Sequence, residues 1–426
     1  MDRCGQSSFN LPMPSARKVL LVSYWYPPAV GAAAERVQSF AKYLPGSGWS
    51  VEVLTTWHLR GAANEASVHR VLDPAAGERF AFADYDPRER PSRIKRFLRG
   101  FLFPDRFRLW AKSAAKQGQD IARESRADAI VTSFPPASCV LAGLRIHEAT
   151  GIPLLIDFRD LWMGPGGYEP RRPGMKARHE ELERRAVAAA CGLVAVSEAM
   201  ADHLARRHHF PRHRIAVIPN GYDPEPALTP RQGSADLQPL VVVHVGTVIA
   251  RNRPDLFFEA VKRLRAKGGL AVTRFRFVGN LSREYLREAG LDEIVETTGI
   301  VPRESARQEM ESATALLLLV GEYVGQWGNN AKLFEYVQTG RPILCLEETP
   351  GSGDGRLLHQ YAAERTFLGQ LGDDASIEGA LTALHAYLQT SPQSSLHLHA
   401  DFAEFSRPRL AARLAAHLEL CLASKK

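Results

Sequence analysis

Five cysteines in 426 residues, Cys4, Cys139, Cys191, Cys345 and Cys421, form no CxxC pair, and an odd number cannot all pair within one chain. Their scarcity excludes a disulfide scaffold and a cysteine zinc site, and it points to a reducing compartment. Long apolar runs are missing as well: the longest, ALLLLV at residues 315–320, falls far short of the roughly 18 residues of a membrane span. The N-terminal MDRCGQSSFNLPMPSARK lacks the apolar centre of a secretory signal, so the expected location is the cytoplasm, with at most a peripheral seat on the inner face of the cytoplasmic membrane. The sequence has no repeat at the 20–50-residue period of solenoids and propellers. No GxGxxG follows either domain's first strand, which argues against a nicotinamide dehydrogenase. A net charge of +7 is small for so long a chain, and without a helix-turn-helix, RRM, KH or zinc pattern it gives no case for nucleic-acid binding. It does favour anionic partners such as nucleotides or a phospholipid surface.

What the sequence does contain is alternation. Short apolar runs of strand length (KVLLVSY 18–24, WSVEVLTT 49–56, ADAIVTS 127–133, IPLLIDF 152–158, CGLVAVS 191–197) are separated by helical patterns, including residues 34–44 and 140–150. Ser197 is placed to cap a following helix. This rhythm predicts a parallel sheet covered by helices. It breaks at residues 224–239, PEPALTPRQGSADLQP, whose four prolines and few large apolar side chains read as a linker. It then restarts with LVVVHVG 240–246, a helix over 255–266, FRFVG 275–279, a helix near Arg283, IVETTG 294–299, a helix over 305–312 and ALLLLV. The expectation is α/β with two doubly wound domains: an extension 1–16, a first domain 17–223, the linker 224–239, a second domain 240–400 and a terminal helical segment 401–426. Leu410, Leu414 and Leu418 put an apolar stripe on that last helix, which must pack on something already built.

In open parallel sheets ligands sit beyond the carboxyl ends of strands, so the informative residues follow each run. After the first strand, YWYPPAVGAAAERV bends the chain at Gly31 into a helix whose N-terminus can face a phosphate or be a plain turn. VTSFPP brings Ser133, and IDFRDLW brings Asp157, Arg159 and Asp160, to the end of buried strands. Charges there need partners, either a structural Asp/Arg pair or a substrate whose hydroxyls a carboxylate accepts, with Asp160 favoured for the site. HVGTVIARNRP places Gly246, Thr247, Arg251 and Arg253 before Pro254; the arginines either neutralise an anion or form a solvated basic loop.

The strongest cluster is GQWGNNAKLFEYVQTGRPILCL, a loop with Asn329 and Asn330 that opens a helix carrying Lys332 and Glu335 three residues apart on one face. A lysine in a first helical turn opposes the dipole unless an anion binds there. A diphosphate on Lys332 and vicinal ribose hydroxyls on Glu335 fit that placement; the plain alternative is an i,i+3 ion pair on a solvated face.

Taken in order, IPNGYD, HVGT, FRFVGN, TGIVPRES and KLFEYVQTGRPIL resemble a glycosyltransferase of the GT-B fold, family 4, over residues 18–422. The first half, with YPPAVGAAAERVQSFAKYLP, LFPDRF, TSFPPAS and GIPLLIDFRDLW, is similar to a bacterial subgroup that builds extracellular polysaccharide and lipopolysaccharide. The resemblance implies two Rossmann-like domains facing a cleft, with the end helix crossing back to the first. It implies retaining, metal-independent transfer from a nucleoside-diphosphate sugar, by default a UDP-sugar, to a glycan or polyprenyl-linked acceptor, with no cofactor. By charge logic Lys332 with Arg251 or Arg253 takes the diphosphate, and Asp160 joins them in catalysis. Glu335 takes the ribose, the Val301 loop the base, and Gly31, Gly246, Thr247, Gly279, Asn329, Asn330 and Leu333 complete the donor side. Asp157, Arg159, Ser133 and Asn220 fall on the acceptor side. Trp327 stands where many members carry a glutamate, Thr247 and Asn252 where they carry Arg and Lys, and Arg159 where many have a sugar-contacting His. The alternative is a GT-B protein that is not a transferase, such as a UDP-sugar 2-epimerase or a nucleotide-binding homologue without catalysis. The basic and aromatic segment 88–112 suits an anionic membrane surface or, equally, an insertion with a buried aromatic side.

Overall fold

The computed structural model describes residues 17–29, 31–57, 67–74, 103–169, 173–224, 240–270, 272–390 and 399–423. Most of the linker and residues 88–102 of the basic segment lie outside the described residues.

The first domain is a seven-stranded parallel sheet in the order β3-β2-β1-β4-β5-β6-β7, from β1 (Arg17–Val22), β2 (Trp49–Thr56), β3 (Val68–Val71), β4 (Ala129–Phe134), β5 (Leu154–Phe158), β6 (Ala190–Ala195) and β7 (Ile215–Val217). Both faces of these strands are covered, which is why they read as continuous apolar runs rather than alternating ones. Val19, Leu21, Val53, Val131, Leu155 and Val194 point to one face. Leu20, Val22, Leu54, Ile130, Leu154, Ile156 and Leu193 point to the other, beneath helices Arg108–Glu124, Ala137–Thr150, Pro173–Ala189 and Glu198–His208. Ser197 caps the last of these, its hydroxyl accepting from the Met200 N–H at 3.1 Å.

The second domain repeats the plan with six parallel strands in the order β10-β9-β8-β11-β12-β13, from β8 (Leu240–Val245), β9 (Thr273–Val278), β10 (Val295–Thr297), β11 (Ala315–Val320), β12 (Ile343–Glu347) and β13 (Thr366–Gln370). Sequence reading places nine of the strands and misses four: the short β3 and β7, of four and three residues, and β12 and β13, of five residues each, after ALLLLV. Four predicted helices start one to three residues earlier than expected, at Ala32, Ala137, Pro254 and Arg303.

The final helix, Arg407–Ala423, leaves the second domain and lies on the first. Leu410, Leu414, Leu418 and Cys421 join the cluster of Val19, Leu21 and Phe40. The approach is close: a Cβ on Gly192 of β6 would stand 2.4 Å from the Cys421 sulfur. Cys139, Cys191, Cys345 and Cys421 form no disulfide among the described residues. No helix among the described residues is long and apolar enough to cross a membrane.

Candidate functional site

The carboxyl ends of both sheets face one cleft of about 920 Å³ between the domains. Helix Ala32–Tyr43 opens onto it from the first domain. Gly31, at φ +119°, turns the chain from β1 into that helix, a conformation that suits glycine and leaves the space beside it open. From the second domain come Gly246 and Thr247 after β8, Gly279 after β9, the segment from Ile300 to Met310, and helix Ala331–Thr339 with Lys332 and Glu335.

Lys332 decides between the two readings of its helix. Among the described residues no carboxylate forms an ion pair with it, so the i,i+3 pair with Glu335 is absent. Its chain lies across Gly246, where an added Cβ would meet Lys332 Nζ at 2.2 Å. Gly246 itself has φ +131°, and Gly279 packs against its carbonyl, so two glycines are fixed by this approach. A cation with no ion pair within 4 Å among the described residues therefore stands at a helix N-terminus beside two open backbone turns, its charge felt by the Glu35 and Glu335 carboxylates. Beside it His244 is buried, with Nδ1 3.0 Å from the Leu317 carbonyl and Nε2 without a partner. Burial, with the Lys332 charge adding to it, pushes this histidine down to about 4, so near neutral pH it is uncharged next to the lysine.

Glu335 faces two arginines at long range, Arg303 at 3.5 Å and Arg407 at 3.8 Å. Burial raises its carboxyl above the usual range, and the nearby Glu35 adds to that while the cations oppose it. Val301 lies with Ile300 and Met310 along the apolar side of the same cleft, where a base can rest. Asp160 lines the first-domain side with Trp25 and Pro135. Burial raises the Asp160 carboxyl, opposed by Arg159, Arg251 and the Tyr323 hydroxyl.

Other expected residues are placed elsewhere, each for a visible reason. Asp157 is 1% exposed and fully used: Arg36 Nη2 donates to it at 2.8 Å and Nε at 3.0 Å, and Ser133 Oγ at 3.0 Å. Arg36 also holds the carbonyls of Ile218 and Pro219. Asp157 and Ser133 thus belong to a buried structural pair, and its arginine comes from the first helix rather than from Arg159 next door. Arg159 is turned inward, donating to the carbonyl of Pro135. Arg253 pairs with Asp255 at 3.3 Å and Glu348 at 3.8 Å and is not part of the cavity wall. Arg251 leans over the Tyr323 ring and towards the Gly166 carbonyl. The amides of Asn329 and Asn330 both donate to Asp354, so they shape the loop rather than line the cleft. Leu333 is a core residue, 0% exposed. Asn220 reaches across the domains to the Asn329 carbonyl at 3.3 Å.

Trp327 does not face the cleft. Its ring is buried in the first domain's core, 5.1 Å from His203, and its carbonyl accepts from Ser197 Oγ at 2.7 Å. Helix Glu322–Trp327 is a peg between the domains, with the Tyr323 hydroxyl accepting from the Leu161 N–H at 2.7 Å. Sequence reading missed Glu35, Arg303 and Trp25, which line the cleft, and Arg407, buried behind Glu35. Glu35, Arg303 and Trp25 lie inside quoted segments, but a lone acid or base in a first helical turn reads there as an ordinary end residue. Among the described residues no group of three or more His, Cys, Asp or Glu is placed to hold a metal ion.

Residues 33–226 match the model of Glycosyltransferase Family 4. No curated protein matches the sequence. Among solved structures, sucrose-phosphate synthase from Thermosynechococcus elongatus superposes with TM-score 0.62 at 13% identity, covering 96% of this chain and 97% of that one. Anabaena HepE, in complex with UDP and glucose, gives 0.57 at 12% identity over 96% and 98%. The lipopolysaccharide outer core galactosyltransferase WaaB gives 0.54 at 14% identity over 96% and 100%. The chain has the GT-B fold that these structures share. The family match over residues 33–226 and this fold over the whole chain together support a glycosyl-transferring enzyme.

Proposed function

We propose that the protein is a retaining glycosyltransferase that moves a sugar from a nucleoside-diphosphate sugar, by default a UDP-sugar, to a glycan or lipid-linked acceptor in bacterial cell-surface polysaccharide assembly. The observation that carries the donor half is the unpaired Lys332 lying over Gly246 at the mouth of its helix. A cation held there in a partly desolvated cleft stabilises the charge that builds on a departing diphosphate. The helix N-terminus adds backbone N–H donors to the same anion, so the chemistry needs no metal in this reading. Glu335 accepts the ribose hydroxyls, and Asp160 and Trp25 face the sugar from the first domain. HepE binding UDP and glucose, and WaaB acting on lipopolysaccharide, are consistent with that donor and that acceptor class.

A lipid-linked acceptor calls for a seat near a membrane. On the first domain a surface groove of about 710 Å³ is lined by Arg108, Lys112, Arg145, Arg178 and Arg185, with the half-exposed Leu109 among them. Cations around an apolar strip suit an anionic leaflet. Sedimentation with phosphatidylglycerol vesicles but not phosphatidylcholine vesicles supports this seat; equal recovery with both removes it.

The test of the main reading is a thermal-shift panel of UDP, GDP, dTDP, CMP and NAD on wild type, Lys332→Ala and Glu335→Ala. A ligand at about 100 times its Kd stabilises by roughly 2.7 kcal/mol. One nucleoside diphosphate should shift the wild type and neither variant. Release of that nucleotide from its sugar donor without any acceptor would instead favour the epimerase-like alternative.

A further inference from the structure

Glu35 is a carboxylate for which the proposed reaction has no direct use, and it stands in the middle of the donor site. It belongs to the first domain, in the first turn after Gly31, yet its partners come from elsewhere. Arg407, the first residue of the crossover helix, donates to it at 2.9 Å, and Arg303 of the second domain lies at 3.7 Å. The same two arginines are the partners of Glu335, at 3.8 and 3.5 Å. The one short contact is that of Arg407 with Glu35; Arg303 lies slightly nearer Glu335 than Glu35. A carboxylate that takes a short arginine contact has a lone pair occupied; one with only long contacts keeps its lone pairs for a ligand.

We propose that Glu35 is a positioning residue for donor binding: by holding Arg407 at the domain interface, it keeps that guanidinium off the Glu335 carboxylate, which can then accept the two ribose hydroxyls of a nucleoside diphosphate. The inference rests on the reading of Glu335 as the ribose acceptor. Three parts of the chain meet here, so this geometry exists only when the cleft is assembled as seen. Donor affinity is thereby tied to the relative position of the two domains. The other charged groups facing this cluster are Lys332 on the Glu335 helix, Asp223, which lies 3.9 Å from Arg407 and takes the Tyr43 hydroxyl at 2.5 Å, and Glu304 and Arg307 on the cleft wall, the last held by Glu311 at 2.7 Å. Burial disfavours the Glu35 carboxylate, but Arg303, Arg407 and Lys332 outweigh it and hold it below its ordinary range. Glu35 is therefore charged near neutral pH, as the role requires.

The test compares wild type, Glu35→Gln and Glu35→Asp in binding UDP, with ADP in parallel, and the 2′,3′-dideoxy form of each. The Glu35 side chain is 22% exposed and the Gln variant keeps its shape, so unliganded thermal midpoints should agree within a few degrees. In Glu35→Gln Arg407 turns onto Glu335. The donor KM should rise about tenfold while kcat stays within threefold, and the preference for ribose over dideoxyribose should shrink. The acidic limb of kcat/KM should move to lower pH, because Glu335 loses a like charge and gains closer cations. Glu35→Asp, which keeps the charge, should restore much of the wild-type pH profile. Unchanged KM, sugar preference and pH profile in a folded Glu35→Gln protein overturn the proposal. If wild type does not distinguish ribose from dideoxyribose, it is the role of Glu335 that fails.

Discussion

Glu35 and Arg36 are consecutive residues on one helix, and they live in different worlds. The helical step of about 100° sends Arg36 into the first domain, where it is 5% exposed and bonded to Asp157 and two backbone carbonyls. It sends Glu35 into the cleft, where its partners come from two other parts of the fold. The first arrangement is saturated, so nothing further can bind and its role is architectural. The second leaves long contacts at Glu335 and a lysine with no ion pair within 4 Å among the described residues, the arrangement from which the donor site is proposed. Charge at the end of a parallel strand therefore carries a functional meaning only when its partners leave capacity unused.

The sharpest way to break this contrast is at the saturated end. Asp157→Ala leaves the Arg36 guanidinium buried without its partner and should lower stability by about 3–5 kcal/mol, whereas Asp157→Leu with Arg36→Met should lose much less. Urea unfolding followed by tryptophan fluorescence reads both; a loss below about 1 kcal/mol in the single variant would mean that the pair is not structural. At the open end Lys332→Ala should do the reverse. Transfer should slow by roughly 10²–10³-fold, as for loss of one preorganised charge-stabilising group, with the unliganded melting temperature nearly unchanged. Gly246→Ala belongs to both ends: its φ of +131° and the crowding of Lys332 predict a stability loss of about 1–3 kcal/mol together with weaker nucleotide binding by calorimetry. The smallest effect concerns the loop before the Lys332 helix. Burial raises Asp354 to about 6. The folded state thus holds this proton more tightly than the unfolded chain, so its contribution is complete below about pH 4 and is lost as pH rises through 6. Melting temperatures measured from pH 4 to 7 should show this fall in wild type and a flatter slope in Asp354→Asn.

Much of the fold is legible in the sequence because buried parallel strands are apolar throughout and linkers are not. KVLLVSY and ALLLLV could be little else. The short strands Val68–Val71 and Ile215–Val217 are not legible, since three or four residues carry no periodicity and their place is set by neighbouring strands. At the site, Lys332 stands out by chemistry alone, as a cation against a dipole. Asp157 and Asp160 read alike in IDFRDLW, and only the third dimension separates them: Arg36, 121 positions away, claims the first and not the second. Arg407 was beyond reach for the same reason, lying 372 positions from the carboxylate it touches.

The crossover helix has a consequence for how the molecule is made. One face of the first sheet, with Val19, Leu21 and Val53, is covered in part by Leu410, Leu414 and Leu418 from the end of the chain. A ribosome releases the first 223 residues long before it makes that cover. The first domain therefore waits with an apolar strip open until residues 407–423 have been made, and any product stopped before Arg407 keeps it open. A chaperone or protease that reads exposed apolar surface can then single out, by this strip alone, products that stop anywhere between the first domain and Arg407.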